Sequence, residues 1–250
     1  QIITENYASI QLENGTWIGS VDSIETTKGY WLRLEDPSDY SLSTYQTSQD
    51  QIYSLHEGWN LISYIGNDNA DLDFALPDDI EMLFTDIISE NISAVRDENG
   101  EWVGSLANIG WQHLKGYWVK VSENISFSFE YDQSLPRFVN NNLPDYYIIN
   151  HLNSFSYNQS QEQTFYYFKD IILADGPISD GDWIIAYHDN IVVGSRQWFG
   201  PYTDVPTMGY DGFDETLSYC ETNSLIRFKI YRQSTGELID MKGNIPKWNS

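Results

Sequence analysis

The chain has 250 residues, enough for one large β domain or for two to three small ones. Its 37 Asp and Glu residues against 13 Lys and Arg residues give a net charge of −24, so we expect no binding to a nucleic-acid backbone or to an anionic membrane surface. No stretch approaches 18 apolar residues, so we expect no insertion into a membrane. The single cysteine, Cys220, excludes an intrachain disulfide and a cysteine-based metal site.

An internal repeat begins at the first residues. Residues 2–24 align with residues 87–109 at a constant offset of 85, and after a two-residue insertion residues 28–34 align with residues 115–121. We therefore expect a partial β repeat over residues 1–50 and a complete one over residues 51–131.

The shared motifs predict the same elements in both repeats. Asn14-Gly15 and Asn99-Gly100 are typical of a type I′ hairpin, because both central residues tolerate positive φ. In the strand that follows, alternation places one set of residues on a core face. The set is Tyr30, Leu32 and Leu34 in the first repeat and Tyr117, Val119 and Val121 in the second.

The second repeat contains further elements. Residues 58–63 read as a strand, and Ile125, Phe127 and Phe129 alternate with polar residues as a closing strand. Between them, an apolar stripe at i, i+3, i+4 and i+7 predicts a short helix at about residues 77–88. The stripe consists of Ile80, Leu83, Phe84 and Ile87.

Gly-Trp-Asn-Leu-Ile-Ser at 58–63, the Asn-Gly-x-Trp motif and Gly-Tyr-Trp-Val at 116–119 resemble β-rich repeats of bacterial and archaeal secreted and cell-surface proteins. The resemblance covers residues 57–130 fully and residues 2–45 in part. It implies a secreted or cell-surface location and a non-catalytic spacer or surface element.

By the same offset, the first repeat's counterpart of residues 58–63 would precede Gln1. A half repeat leaves an unpaired sheet edge and an uncovered apolar face. Three explanations stay open: the chain is cut from a longer one, residues 1–50 join the second repeat in one sheet, or a neighbouring molecule supplies the strand by β-augmentation.

A linker is predicted at residues 132–145 and a β-sandwich domain at residues 146–250. Strand-like runs occur at 165–168, 183–187, 191–193 and 225–231, and Asp189-Asn190 suits a tight hairpin. Motifs between residues 153 and 231 resemble a β-sandwich module of secreted, multi-domain bacterial proteins; they include Gly181-Asp182-Trp183-Ile184, Val193-Gly194-Ser195-Arg196 and Phe228-Lys229-Ile230-Tyr231. The predicted fold is therefore all-β with one short helix, as tandem β repeats followed by a β-sandwich.

Acidic loops are the candidates for a Ca²⁺ site, because Ca²⁺ takes six to eight oxygen ligands. Turn capping and solvation explain the same residues equally well. The candidate ligands are Asp68, Asp71, Asp73, Asp180, Asp182, Asp211 and Asp214.

Exposed aromatic side chains are the candidates for contacts with a glycan or a partner protein, and core packing is the alternative for each of them. They are Trp17, Trp102, Trp111 and Trp198.

No Gly-x-Ser-x-Gly, His-Glu-x-x-His or phosphate-binding glycine loop is present, so we expect no enzyme. A glycoside hydrolase-associated module is the enzymatic alternative. The sequence favours an extracellular, cell-surface structural protein that associates with copies of itself or with other surface proteins, as in a filament or surface layer. The rival interpretation is a carbohydrate-binding or adhesion module of a larger secreted protein.

Overall fold

The computed structural model describes residues 1–34, 48, 50–131 and 153–249. The chain divides into two compact units, one of residues 1–90 and 94–141 and the other of residues 91–93 and 142–250. Strands dominate both, and the described residues contain one short α-helix, α1 (Ser105–Ile109). The predicted all-β fold class is confirmed. The predicted linker at 132–145 lies outside the described residues.

Four short antiparallel strands form the first sheet of the first unit. Their order is β3-β2-β1-β4, so β1 lies between β2 and β4. The strands are β1 (Ile2–Thr4), β2 (Tyr7–Gln11), β3 (Trp17–Gly19) and β4 (Trp31–Leu32).

The second sheet has five strands in the order β6-β10-β7-β8-β9, and a separate two-stranded ribbon pairs β11 with β5. The strands are β5 (Tyr53–Leu55), β6 (Gly58–Ser63), β7 (Phe84–Ser89), β8 (Ile92–Arg96), β9 (Trp102–Val103), β10 (Gly116–Val121) and β11 (Ile125–Phe127). The predicted strand at 58–63 and the closing strand are thereby confirmed.

The two sheets have the same strand order. The alignment equates β1, β2, β3 and β4 with β7, β8, β9 and β10, and the order β4-β1-β2-β3 repeats the order β10-β7-β8-β9. Among the described residues, the first sheet differs from the second in having no counterpart of β6. This is the strand that the sequence alignment leaves out.

The Asn-Gly hairpins form in both repeats, but their turns differ from the prediction. Gly15 and Gly100 have positive φ values of 80° and 84°, whereas neither Asn14 nor Asn99 has positive φ. In each hairpin a three-residue loop ends on this glycine, as in a type I turn followed by a bulge.

The predicted helix at about 77–88 is wrong. Residues Glu81–Leu83 form one 3₁₀ turn, and Phe84–Ser89 form β7. Thr85, Ile87 and Ile88 are β-branched and favour a strand, and β7 hydrogen-bonds to β10 on one side and β8 on the other. Pairing on both sides therefore outweighs the helical spacing of the apolar residues.

The core of the first unit lies against the second sheet. Tyr117, Val119 and Val121 are fully buried, as predicted for their strand face. The ring of Phe127, from the closing strand, packs edge-on against Phe84 with 5.5 Å between centroids.

The second unit is a β-sandwich-like arrangement around one hydrophobic core. A four-stranded sheet has the order β16-β15-β18-β19, and β12 pairs with β17. Ile226, Phe228 and Ile230 lie buried on one face of β18, as predicted, and the Asp189-Asn190 hairpin joins β15 to β16. The strands are β12 (Gln163–Phe168), β13 (Ile172–Leu173), β14 (Gly176–Pro177), β15 (Trp183–His188), β16 (Ile191–Gln197), β17 (Thr203–Met208), β18 (Ile226–Tyr231) and β19 (Leu238–Asp240).

Candidate functional site

An exposed apolar face is the most unusual feature of the first sheet. Leu32 is 57% exposed and its counterpart Val119 is 0% exposed, while Leu34 is 58% exposed and its counterpart Val121 is 1% exposed. The prediction that Leu32 and Leu34 lie on a core face is therefore wrong, because no described residues cover these two side chains as Val119 and Val121 are covered in the second sheet. Further exposed apolar side chains of the first 34 residues are Tyr7, Ile10, Leu12, Trp17, Ile18 and Ile24.

The outer edge of β4 lies beside this face. Gln1 and Arg33 exchange both backbone hydrogen bonds, each at 2.9 Å, and Leu32 lies opposite Ile2. Because hydrogen-bonded pairs alternate along an antiparallel ladder, the N–H and C=O of Leu32 point away from β1. Within the described ranges β4 is the last strand of its sheet, so these groups form an open edge.

A short backbone contact joins the first sheet to β6. The N–H of Gly29 donates to Leu61 O (3.0 Å) and that of Ser63 to Thr27 O (3.2 Å). An ideal Cβ at position 29 would lie 2.5 Å from Ile62 O, so only glycine permits this approach. The chain leaves β6 after this contact, before β4 begins.

The carboxylate of Glu5 strengthens this contact between the first sheet and the second repeat, which is called the joint below. Glu5 Oε1 lies 2.7 Å from His56 Nε2, and Glu5 Oε2 accepts a hydrogen bond from the N–H of Leu61. The pKa of His56 is raised above its ordinary value, first by the hydrogen bond to the carbonyl of Glu57 and then by Glu5. When protonated, the imidazole forms an ion pair with Glu5 and so holds the β1–β2 turn against the second repeat.

The side chain of Arg96 is held by several hydrogen-bond acceptors of the first unit, an arrangement called the clamp below. Its guanidinium donates to both carboxylate oxygens of Asp73 and to the carbonyls of Phe84, Glu81 and Gly100. The guanidinium carbon lies 4.1 Å from the ring centroid of Trp102, so the indole stacks against the guanidinium.

Trp102 Nε1 completes the clamp by donating to Asp73 Oδ1 at 2.8 Å. A cavity of about 320 Å³ opens beside it. The cavity lining is mixed, with four carboxylates, Arg96 and one indole. Its residues are Asp71, Leu72, Asp73, Glu81, Met82, Arg96, Asn99, Gly100, Glu101, Trp102 and Ala107.

The predicted metal ligands of the first unit have other partners. Asp68 accepts the N–H of His113, and Asp71 accepts the N–H groups of Asp73 and Phe74 as a turn cap. Asp71 and Asp73 share the cavity, but both oxygens of Asp73 bind the Arg96 clamp.

In the second unit, Asp182 is buried, and it accepts the N–H groups of Ser179 and Gln233. Asp211 accepts the hydroxyl of Thr216, while Asp180 and Asp214 are exposed. Over residues 1–34, 50–131 and 153–249, no three His, Cys, Asp or Glu side chains are grouped so that they could hold a metal ion. The Ca²⁺ site stays a prediction.

The four candidate tryptophans fall into two groups. Trp17 is 47% exposed, and Trp102 lines the cavity. The structure corrects the expectation for Trp111 and Trp198, which are 0% and 9% exposed and so present no ring face to a glycan or partner. Trp111 packs between the rings of Tyr64 and Tyr117 in the core.

Sequence reasoning missed the residues that hold the site together. Arg96 stands among the chain's few cations, at the end of a strand, and its partner Asp73 is 23 residues away. Glu5 recurs as Glu90 in the alignment, but nothing local links it to His56. The alignment indicated that a half repeat leaves an apolar face uncovered, but it left three explanations open and placed Leu32 and Leu34 on a core face.

No family model matches the chain, and searches of the curated proteins and of the solved structures find no match either. The resemblance to cell-surface repeats stays a prediction. In the part of the chain that the structure describes, no helix is both long and apolar enough to span a bilayer.

Proposed function

We propose that the protein is a non-catalytic structural element of the cell exterior that associates with copies of itself through its first sheet. One observation carries the proposal: equivalent leucine and valine positions are exposed in the first sheet and buried in the second. Monomeric soluble proteins rarely leave neighbouring apolar side chains exposed beside an open strand edge.

Burial of the two leucines supplies part of the free energy that association requires. Burying a leucine side chain completely contributes about 1.5–3 kcal/mol, and Leu32 and Leu34 are each a little more than half exposed. Covering both then contributes about 2–3 kcal/mol. Backbone hydrogen bonds along β4 add to it.

The exterior location is supported by the composition. A net charge of −24 suits a protein that stays dispersed in salt, where the repulsion between copies is screened over a Debye length of about 8 Å. The chain relies on no disulfide, because Cys220 is its only cysteine. The resemblance to secreted and cell-surface repeats supports the same location.

Sedimentation velocity of the full chain over a wide range of concentrations tests the proposal. We expect concentration-dependent dimers or larger species, and their loss in the double variant Leu32→Asp, Leu34→Asp. The matched control is Leu217→Asp, Leu225→Asp, because those leucines are 64% and 69% exposed in the second unit. A wild-type chain that stays monomeric throughout, or a control that loses association equally, would refute the proposal.

The cavity beside Trp102 favours a second candidate, a carbohydrate-binding module. Its volume of about 320 Å³ suits a small ligand, and carboxylates and an indole are side chains that can hydrogen-bond and stack on sugar rings. Affinity electrophoresis on a polysaccharide panel tests it, with Glu101→Gln expected to weaken retention. Glu98→Gln, in the same hairpin but outside the cavity lining, is the control. No retention on any polysaccharide would exclude this candidate.

A further inference from the structure

We propose that a second copy of the chain pairs its β4 with β4 of the first, antiparallel and centred on Leu32, so that two first sheets become one continuous sheet. The inference rests on the proposed self-association and names the partner strand and its register. Among the described residues, β4 is the strand of this sheet that lacks a neighbour its counterpart in the second sheet has, because β3 corresponds to β9, which is also an edge strand.

The direction of the backbone groups fixes the centre. The N–H and C=O of Leu32 point outward, while those of Arg33 bind Gln1 in the sheet. A two-fold axis at Leu32 lets the two Leu32 residues exchange both hydrogen bonds, as a hydrogen-bonded pair of an antiparallel ladder requires. An axis at Arg33 would set two like charges opposite each other and offers no outward backbone groups at its centre.

The second sheet supplies a template for the side chains. Lys120, which the alignment equates with Arg33, lies opposite Trp59 of the neighbouring strand β6, with its Nζ 5.7 Å from the ring centroid. Pairing centred on Leu32 places Arg33 of each copy opposite Trp31 of the other. The cross-strand pair of cation and indole is thus reproduced twice, on the same face of the strand as in the second sheet.

The opposite face gains apolar contact in the same register. Leu32 meets Leu32 of the second copy, and Leu34 continues the apolar row next to it. Residues 31–34 carry one cation and no carboxylate.

The symmetry has a consequence for the assembly. A two-fold contact is self-complementary and closes after two copies, so this interface makes a dimer. A filament or surface layer would then need a second contact elsewhere on the chain.

Disulfide trapping of the full chain tests the register. In the proposed dimer the two Cα atoms at position 32 are about 5.5 Å apart, within the range of a disulfide, whereas those at position 34 are about 14 Å apart. Leu32→Cys and Leu34→Cys are matched, because the two leucines are 57% and 58% exposed on one strand. Cys220 can stay in place, since it is buried and its pKa is raised to about 12 by burial.

We expect Leu32→Cys to form a covalent dimer that a reductant dissolves, and Leu34→Cys to form about tenfold less. Equal dimer at both positions would indicate random collision and overturn the register. If the wild-type chain sediments as an oligomer but the Leu32→Cys variant forms no covalent dimer, the β4 pairing is overturned and the proposed self-association still stands. A wild-type chain that never associates would overturn both.

Discussion

Replacing Arg96 with alanine tests whether the clamp holds the first unit together. The Arg96 side chain is 10% exposed and gives up five hydrogen bonds in the variant, two to Asp73 and three to backbone carbonyls. Breaking a buried ion pair costs about 3–5 kcal/mol. Because the Asp73 side chain is 41% exposed, water replaces part of the loss. We therefore expect destabilisation of about 3 kcal/mol.

The assay must read the first unit separately, because two compact units can unfold independently. Hydrogen exchange in increasing urea, followed by mass spectrometry on peptides from β6 to β10, gives that local free energy of unfolding. Arg96→Lys keeps the charge but not the planar fork, so we expect a loss of about 2 kcal/mol. The control is Lys115→Ala, an exposed cation of the first unit between β6 and β10, expected to cost less than about 0.5 kcal/mol. An Arg96→Ala cost as small as that of the control would refute the reasoning.

Two further predictions use the same exchange measurement. Val119→Ala should lower the free energy of unfolding of the first unit by about 2 kcal/mol, because it opens a cavity in the core. Leu32→Ala, at the equivalent exposed position, should change that free energy by less than about 0.5 kcal/mol. Equal effects of the two variants would contradict the assigned burial. His56→Asn should destabilise the joint to Glu5 at low pH only. The folded pKa of His56 is raised, so its contribution is fully present below the unfolded pKa of about 6.5 and is lost as the pH rises through the folded pKa. A wild-type advantage that is unchanged well above that pKa would contradict this account.

The strands were predictable from the sequence where alternation and repetition agreed. Tyr117, Val119 and Val121 alternate with polar or interfacial residues, and the structure buries all three. Where two patterns competed, the sequence favoured the wrong one. The helical spacing of Ile80 to Ile87 is genuine, but Phe84–Ser89 lies between two strands, and that pairing depends on residues far away in the sequence.

The Arg96 clamp and the Glu5–His56 contact could not be predicted either, because they too depend on residues far apart in the sequence. Asp73 and Arg96 are 23 residues apart, and Glu5 and His56 are 51 residues apart, so no local motif links either pair. Burial of Trp111 likewise depends on Tyr64 and Tyr117 closing around it. Composition alone could not separate a core indole from a ligand-binding one.

The contact between Thr27–Gly29 and β6 has a consequence for the second repeat. It occupies backbone groups on the side of β6 that faces away from β10, and the carboxylate of Glu5 satisfies another. In a chain shortened to begin at residue 50, those backbone groups would be exposed and available to pair with a strand of another molecule. The amino-terminal repeat thus covers part of the β6 edge, while the described residues leave its own Leu32 and Leu34 exposed.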